Sequence, residues 1–91
     1  MKYLEIISLR TSGPFEQKAQ KYMKKFCLII KKHNLSEVNF CIHDSIPGDF
    51  AIIILSNTQN SKTKVTELCI YMTEVLKQFG LVDYNRWRLV E

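Results

Sequence analysis

The chain switches between two hydrophobic rhythms, and the switches predict six elements. Tyr3-Leu4-Glu5-Ile6-Ile7-Ser8-Leu9 is short, apolar and rich in β-formers, with Gly13-Pro14 soon after, so it predicts a strand running into a turn. Pro14 suits the first turn of a helix, where its missing N–H is not needed, with Ser12 or Gly13 at the N-cap. From Phe15 to His33 the rhythm becomes helical. Phe15, Ala19, Tyr22, Met23, Phe26, Ile29 and Ile30 recur at three- and four-residue steps and share one face. Lys18, Lys21, Lys24, Lys25, Lys31 and Lys32 fall on the opposite arc, and Asn34 supplies a C-terminal stop.

Val38, Phe40 and Ile42 then alternate with Asn39, Cys41 and His43, the period of two that marks a strand. Pro47-Gly48 fits the centre of a type II turn. The run from Phe50 to Leu55 is too short and too β-branched for a helix, so it predicts a strand buried on both faces. A second helix is expected from about Ser61 to Phe79, with Val65, Leu68, Cys69, Met72, Val75, Leu76 and Phe79 on one face. Gly80 stands where a C′ glycine would be, and Leu81 would close a Schellman cap. Asp83 to Val90 alternates large apolar with charged side chains as a last strand.

The order β-α-β-β-α-β is the split-βαβ pattern of a ferredoxin-like α+β domain. It predicts one domain over residues 1–91, an antiparallel sheet ordered 4-1-3-2, and both helices on one face of the sheet. That leaves the other face to be covered. Phe50, Ile52 and Ile54 alternate with Ala51, Ile53 and Leu55, and Leu4 and Ile6 alternate with Tyr3, Ile7 and Leu9, so both central strands are apolar on both sides. A patch of that size marks an interface or a ligand groove. The simplest cover is a second copy related by a two-fold axis, as in dimeric α+β barrels, with Ile53, Leu55 and Trp87 in the interface.

Composition narrows the setting. A chain of 91 residues with 46% hydrophobic and 24% charged residues fits one globular domain and excludes a disordered or fibrous chain. The three cysteines, Cys27, Cys41 and Cys69, are scattered and form no C-x-x-C, which points to reduced core thiols in a cytoplasmic protein and to neither a metal nor a redox centre. No apolar run approaches a signal-peptide core or a membrane span, so no membrane role is expected.

The formal charge of +4 is uneven: residues 1–33 carry eight Lys/Arg against two Glu. That excess sits on the outer arc of the first helix without Arg or interleaved aromatics, which reads as a solvated face and not as a nucleic-acid address. The aromatic run by which RRM sheets stack bases is missing as well. Pro47-Gly48-Asp49-Phe50-Ala51-Ile52-Ile53-Ile54 has a single aromatic, out of register.

The topology does gather polar groups at one edge of the sheet, where the first and second strands end and the fourth begins. Arg10, Ser12, Gly13, His43 and Tyr84 converge there as a candidate ligand site, next to the free N–H groups of the first helix, which would favour a small anion. His43 would supply acid–base chemistry near neutral pH. The competing reading pairs Arg10 with a nearby acid such as Asp44 or Asp83. Two histidines without matched Glu or Cys spacing give no metal or haem signature, no cofactor is implied, and no catalytic residues are assignable.

Leu76-Lys77-Gln78-Phe79-Gly80-Leu81-Val82-Asp83-Tyr84-Asn85-Arg86-Trp87 resembles the C-terminal end of a group of small uncharacterised bacterial proteins, and Glu5-Ile6-Ile7-Ser8-Leu9-Arg10-Thr11-Ser12 is similar to their opening. The resemblance implies a ferredoxin-like fold and lends no activity. Three functions remain open: a self-associating domain without assignable activity, a dimeric α+β barrel enzyme resembling the small monooxygenases, and an ACT-like domain binding a small molecule. The enzyme reading expects a cavity between sheet and helices lined by His43, Trp87 and strand-end polar groups. A solid core argues against it. The ACT-like reading draws on Gly13 between the first strand and first helix.

Overall fold

The computed structural model describes residues 2–32, 36–57 and 64–90. Its elements are β1 (Lys2–Thr11), α1 (Glu16–Lys31), β2 (Ser36–Ile42), β3 (Asp49–Asn57), α2 (Lys64–Leu76) and β4 (Gly80–Arg88). Short 3-10 turns, Gly13–Phe15 and Lys77–Phe79, precede α1 and follow α2. The strands form one antiparallel sheet ordered β2-β3-β1-β4, the ferredoxin-like arrangement that the hydrophobic rhythm predicts. The helix stop at Asn34, His33 beside it, and residues 61–63 of the expected second helix lie outside the described residues.

Pleating sends alternate side chains of each strand to opposite faces. Ile7, Leu9, Phe50, Ile52, Ile54 and Val38 turn toward the helices. They meet Ala19, Met23, Phe26 and Ile30 of α1 and Val65, Cys69, Met72 and Leu76 of α2 in one buried cluster. Phe79 is buried with them and is tiled from outside by the rings of Phe15 and Tyr22, at 6.0 and 5.3 Å between centroids. The first helix therefore buries a narrower stripe than its spacing predicts: Ile29 is exposed and Cys27 is buried in the core.

Three glycines hold positive φ, and two of them fix how the strand ends meet. Gly48 (φ 85°) follows Pro47 in the predicted type II turn, closed by the Asp49 N–H on the Ile46 carbonyl at 3.4 Å. The end of β1 locks onto this turn, with Thr11 donating both its N–H (2.9 Å) and its Oγ1 hydroxyl (2.8 Å) to the Gly48 carbonyl. Gly80 (φ 157°) does not end the helix as a Schellman glycine. It opens β4 opposite Thr11, where a Cβ would stand 2.0 Å from the Arg10 carbonyl oxygen. Leu81 is accordingly not folded back on the helix but 76% exposed on the sheet. At the start of α1, Ser12 occupies the N-cap of the 3-10 turn without a side-chain cap, its N–H bonding instead to the Phe79 carbonyl at 3.0 Å.

The register arranges the face away from the helices in four rows. From the turn end these are Asp49, Arg10 and Leu81; then Cys41, Ala51, Ser8 and Asp83; then Asn39, Ile53, Ile6 and Asn85; and last Glu37, Leu55, Leu4 and Trp87. The face is thus polar at one end and carries an apolar ridge along the central strands at the other. Leu89 does not fold over it: its N–H bonds to the Lys2 carbonyl at 2.9 Å, prolonging β4 beside β1.

Candidate functional site

The polar end of the open face is concave. A groove of about 500 Å³ crosses all four strands, lined among others by Ser8, Arg10, Cys41, His43, Asp49, Leu81 and Asp83. Arg10 is the second-to-last residue of β1. Its Nε donates to Asp49 Oδ1 at 3.1 Å and its Nη2 to Asp49 Oδ2 at 3.1 Å, a fork-to-fork pair across the β1–β3 ladder. This bond and the Asp49 charge push the guanidinium pKa up from its ordinary value. The expected acid partner is therefore Asp49, not Asp44 or Asp83.

His43 follows β2 and caps the turn toward β3. Its Nδ1 accepts the backbone N–H groups of Ser45 and Ile46, each at 3.0 Å, which leaves Nε2 as the ring's donor. Asp83 lies across the groove on β4, where its Oδ2 accepts from Asn85 Nδ2 at 2.7 Å.

Of the residues that topology assigns to this edge, the structure brings Arg10 and His43 together in the groove. Ser12 and Gly13 are exposed in the turn before α1 and are not among its lining. Tyr84 departs most. Its neighbours Asp83 and Asn85 lie on the open face, so pleating turns Tyr84 to the helix side. Trp87 does belong to the open face, opposite Leu4, and is 56% exposed. Neither His43 nor Trp87 lines a space between sheet and helices, and the layer above β2 and β3 is filled by Met23, Phe26, Ile30, Ile52 and Ile54.

Tyr84 leads to a second cluster, which the sequence pattern missed. Glu5, an interruption in an apolar strand, is 1% exposed beneath α2. The Tyr84 hydroxyl donates to its Oε1 at 2.5 Å, and Arg86, its cross-strand neighbour, places Nε at 3.6 Å. The Arg86 guanidinium in turn stacks on the Tyr3 ring at 3.8 Å. Arg86 Nε is buried and has no hydrogen-bond acceptor among the described residues, so it meets Glu5 as a charge and not as a bonded donor. Burial, and then the bond to Glu5, raise the Tyr84 pKa far above the phenol range, and burial with the Glu5 charge does the same to the Cys69 thiol. The signal was available in the alternation: Glu5 shares the parity of Tyr3, Ile7 and Leu9, the buried side of β1.

Among the described residues no three His, Cys, Asp or Glu side chains come together to hold a metal ion. None of the described helices is long and apolar enough to cross a membrane.

No protein-family model matches the chain, and no curated protein matches it in sequence. Solved structures do match in shape. A Mycobacterium tuberculosis protein superposes with a TM-score of 0.79 at 3% identity, over 100% of this chain and 97% of its own. An antibiotic biosynthesis monooxygenase gives 0.68 at 9% identity, over all of both chains. SnoaB, a cofactor-independent oxygenase from Streptomyces nogalater, gives 0.72 at 3% identity, covering 99% of this chain and 94% of its own. At such identities the likeness is one of fold, and it places this chain among ferredoxin-like α+β structures.

Proposed function

We propose that this chain works as a homodimer of the dimeric α+β barrel kind, two copies joined through their open sheet faces. The observation that supports it is the ridge Leu4, Ile6, Ile53 and Leu55, apolar in register on the two central strands and flanked by Asn39, Asn85 and Glu37 at the edges. An apolar centre with a polar rim is the anatomy of an interface. The proposed setting is the cytoplasm, where Cys27, Cys41 and Cys69, all free, stay reduced. Light scattering on a sizing column at low micromolar concentration tests the proposal. A dimer mass for the native chain and a monomer mass for Ile53→Lys are expected, and a native monomer overturns it.

A second reading, a monooxygenase-like enzyme acting on a small organic substrate, is favoured by one observation: a carboxylate, a phenol and a guanidinium, those of Glu5, Tyr84 and Arg86, come together on the helix side of the sheet. Glu5 is the candidate base there, with Tyr84 and Arg86 beside it. Oxygen uptake measured over a panel of small organic compounds tests this. Uptake that Glu5→Gln abolishes supports it, and none with any compound removes it.

A further inference from the structure

The apolar ridge occupies one half of the open face, and the groove at the other half is unsuited to the same partner. Arg10 and Asp49 already pair with each other, but burying Asp83 against a protein surface costs several kcal/mol unless it gains a partner there. The groove is instead built for something small with charges of its own. It holds one guanidinium and two carboxylates, with an imidazole whose Nδ1 is already taken by two backbone N–H groups. A bare anion reaching Arg10 would also meet Asp49, which already takes Nε and Nη2 of that guanidinium, and Asp83. A bare cation would leave Nη1 of Arg10 and the His43 donor without use.

We propose that this groove binds a small zwitterion, an α-amino acid with an apolar side chain. Its carboxylate accepts from Arg10 and from Nε2 of His43, and its ammonium donates to Asp83. The register sets the two partners on either side of β1. Arg10 pairs with Leu81 and Ser8 with Asp83, so the backbones of Arg10 and Asp83 are diagonal neighbours about 7–8 Å apart, while Asp49 draws the Arg10 guanidinium toward β3. An amino acid lying across β1 would set its carboxylate against that guanidinium and its ammonium toward Asp83. Ala51 and Leu81, both lining the groove, offer the apolar contact for the side chain. The inference stands on the charges of the groove and not on the dimer.

Thermal-shift and calorimetric titration of the full chain with the standard L-amino acids test it, beside the matching amines, the matching carboxylic acids and inorganic phosphate. An apolar amino acid at about five times its Kd raises the melting midpoint by roughly 4–8 °C. The matched amine and acid bind at least about ten-fold more weakly. Asp83→Asn and Arg10→Met each lower amino-acid affinity by about ten-fold or more, while Lys18→Gln, on the far side of α1, changes nothing. Asp83 and Arg10 are exposed, and Asp83→Asn keeps the shape of the side chain, so folding is retained and verified by circular dichroism. Ile53→Lys separates this inference from the dimer proposal: a monomeric variant that still binds the amino acid upholds it. No shift with any amino acid at about 10 mM, tighter binding of phosphate, or affinity untouched by Asp83→Asn overturns it.

Discussion

The Tyr84 hydroxyl donates to the buried Glu5 carboxylate at 2.5 Å across 79 residues of sequence, tying the first strand to the last beneath α2. The bond meets the need created by putting a charge where the fold packs hydrocarbon. Removing the donor with Tyr84→Phe leaves the carboxylate short of a partner and is expected to cost about 1–3 kcal/mol of stability. Glu5→Gln removes the charge facing Arg86 and should cost about 3–5 kcal/mol. Because the groups share one network, the double variant Glu5→Gln/Tyr84→Phe loses less than the two losses added. Urea denaturation of the four proteins measures this, and strict additivity would sink the network.

Alkaline pH acts on the same place. Burial raises the Tyr84 phenol above its ordinary 10.0, and the Cys69 and Cys27 thiols above their ordinary 9.0. Above about pH 9 the unfolded chain gives up protons that the folded chain keeps, so folding takes up protons and stability falls as pH rises. Below that value both states are protonated and these groups contribute no slope. The melting midpoint is therefore level toward neutral pH and declines from about pH 9 upward, and Tyr84→Phe shallows the decline. A midpoint unchanged to about pH 10.5 contradicts the burial of these groups.

The strand ends make a sharper test of geometry. Gly13 and Gly80 both hold positive φ, but a Cβ on Gly13 (φ 60°) meets nothing within 4 Å, whereas one on Gly80 strikes the Arg10 carbonyl oxygen at 2.0 Å. Gly13→Ala pays only for the left-handed backbone, about 1–2 kcal/mol. Gly80→Ala must push β4 away from β1 and should lose upwards of about 4 kcal/mol. Equal losses in chemical denaturation would show that the β1–β4 ladder opens differently at this end.

What the residue pattern conveys is tied to the range of the interaction that decides it. The strand order, the two helices and the Pro47-Gly48 turn are legible because period and turn chemistry are local. Leu81 shows where locality fails. Phe79-Gly80-Leu81 reads as a helix cap, but Gly80 is required by the backbone of β1, 70 residues away, and Leu81 becomes an open-face residue. Tyr84 fails for the same reason. Placing it at a strand end says which edge it is near, while its face follows from pairing with Ile7, a register that no short window contains. For Arg10 and His43, nearness to the edge is enough to place them in the groove. Glu5 was overlooked as a break in an apolar run, although its parity with Ile7 and Leu9 assigns it to the buried side.

The single tryptophan gives the self-association proposal a spectroscopic readout. Trp87 stands on the open face beside Leu4, and in the isolated chain more than half of its surface is exposed. A second copy seated on the Leu4–Ile6–Ile53–Leu55 ridge takes the indole out of water, so concentrated protein should emit at shorter wavelength than dilute protein. The midpoint of that shift should coincide with dissociation seen by light scattering. Ile53→Lys places a charge at the centre of the ridge, where an uncompensated buried ammonium costs several kcal/mol, and its emission should stay at the exposed wavelength at every concentration. The Ile53 side chain lies on the open face, away from the helix-side core, so the variant retains its far-ultraviolet circular dichroism. If emission is independent of concentration in the native chain and equal to that of Ile53→Lys, the ridge does not carry an interface.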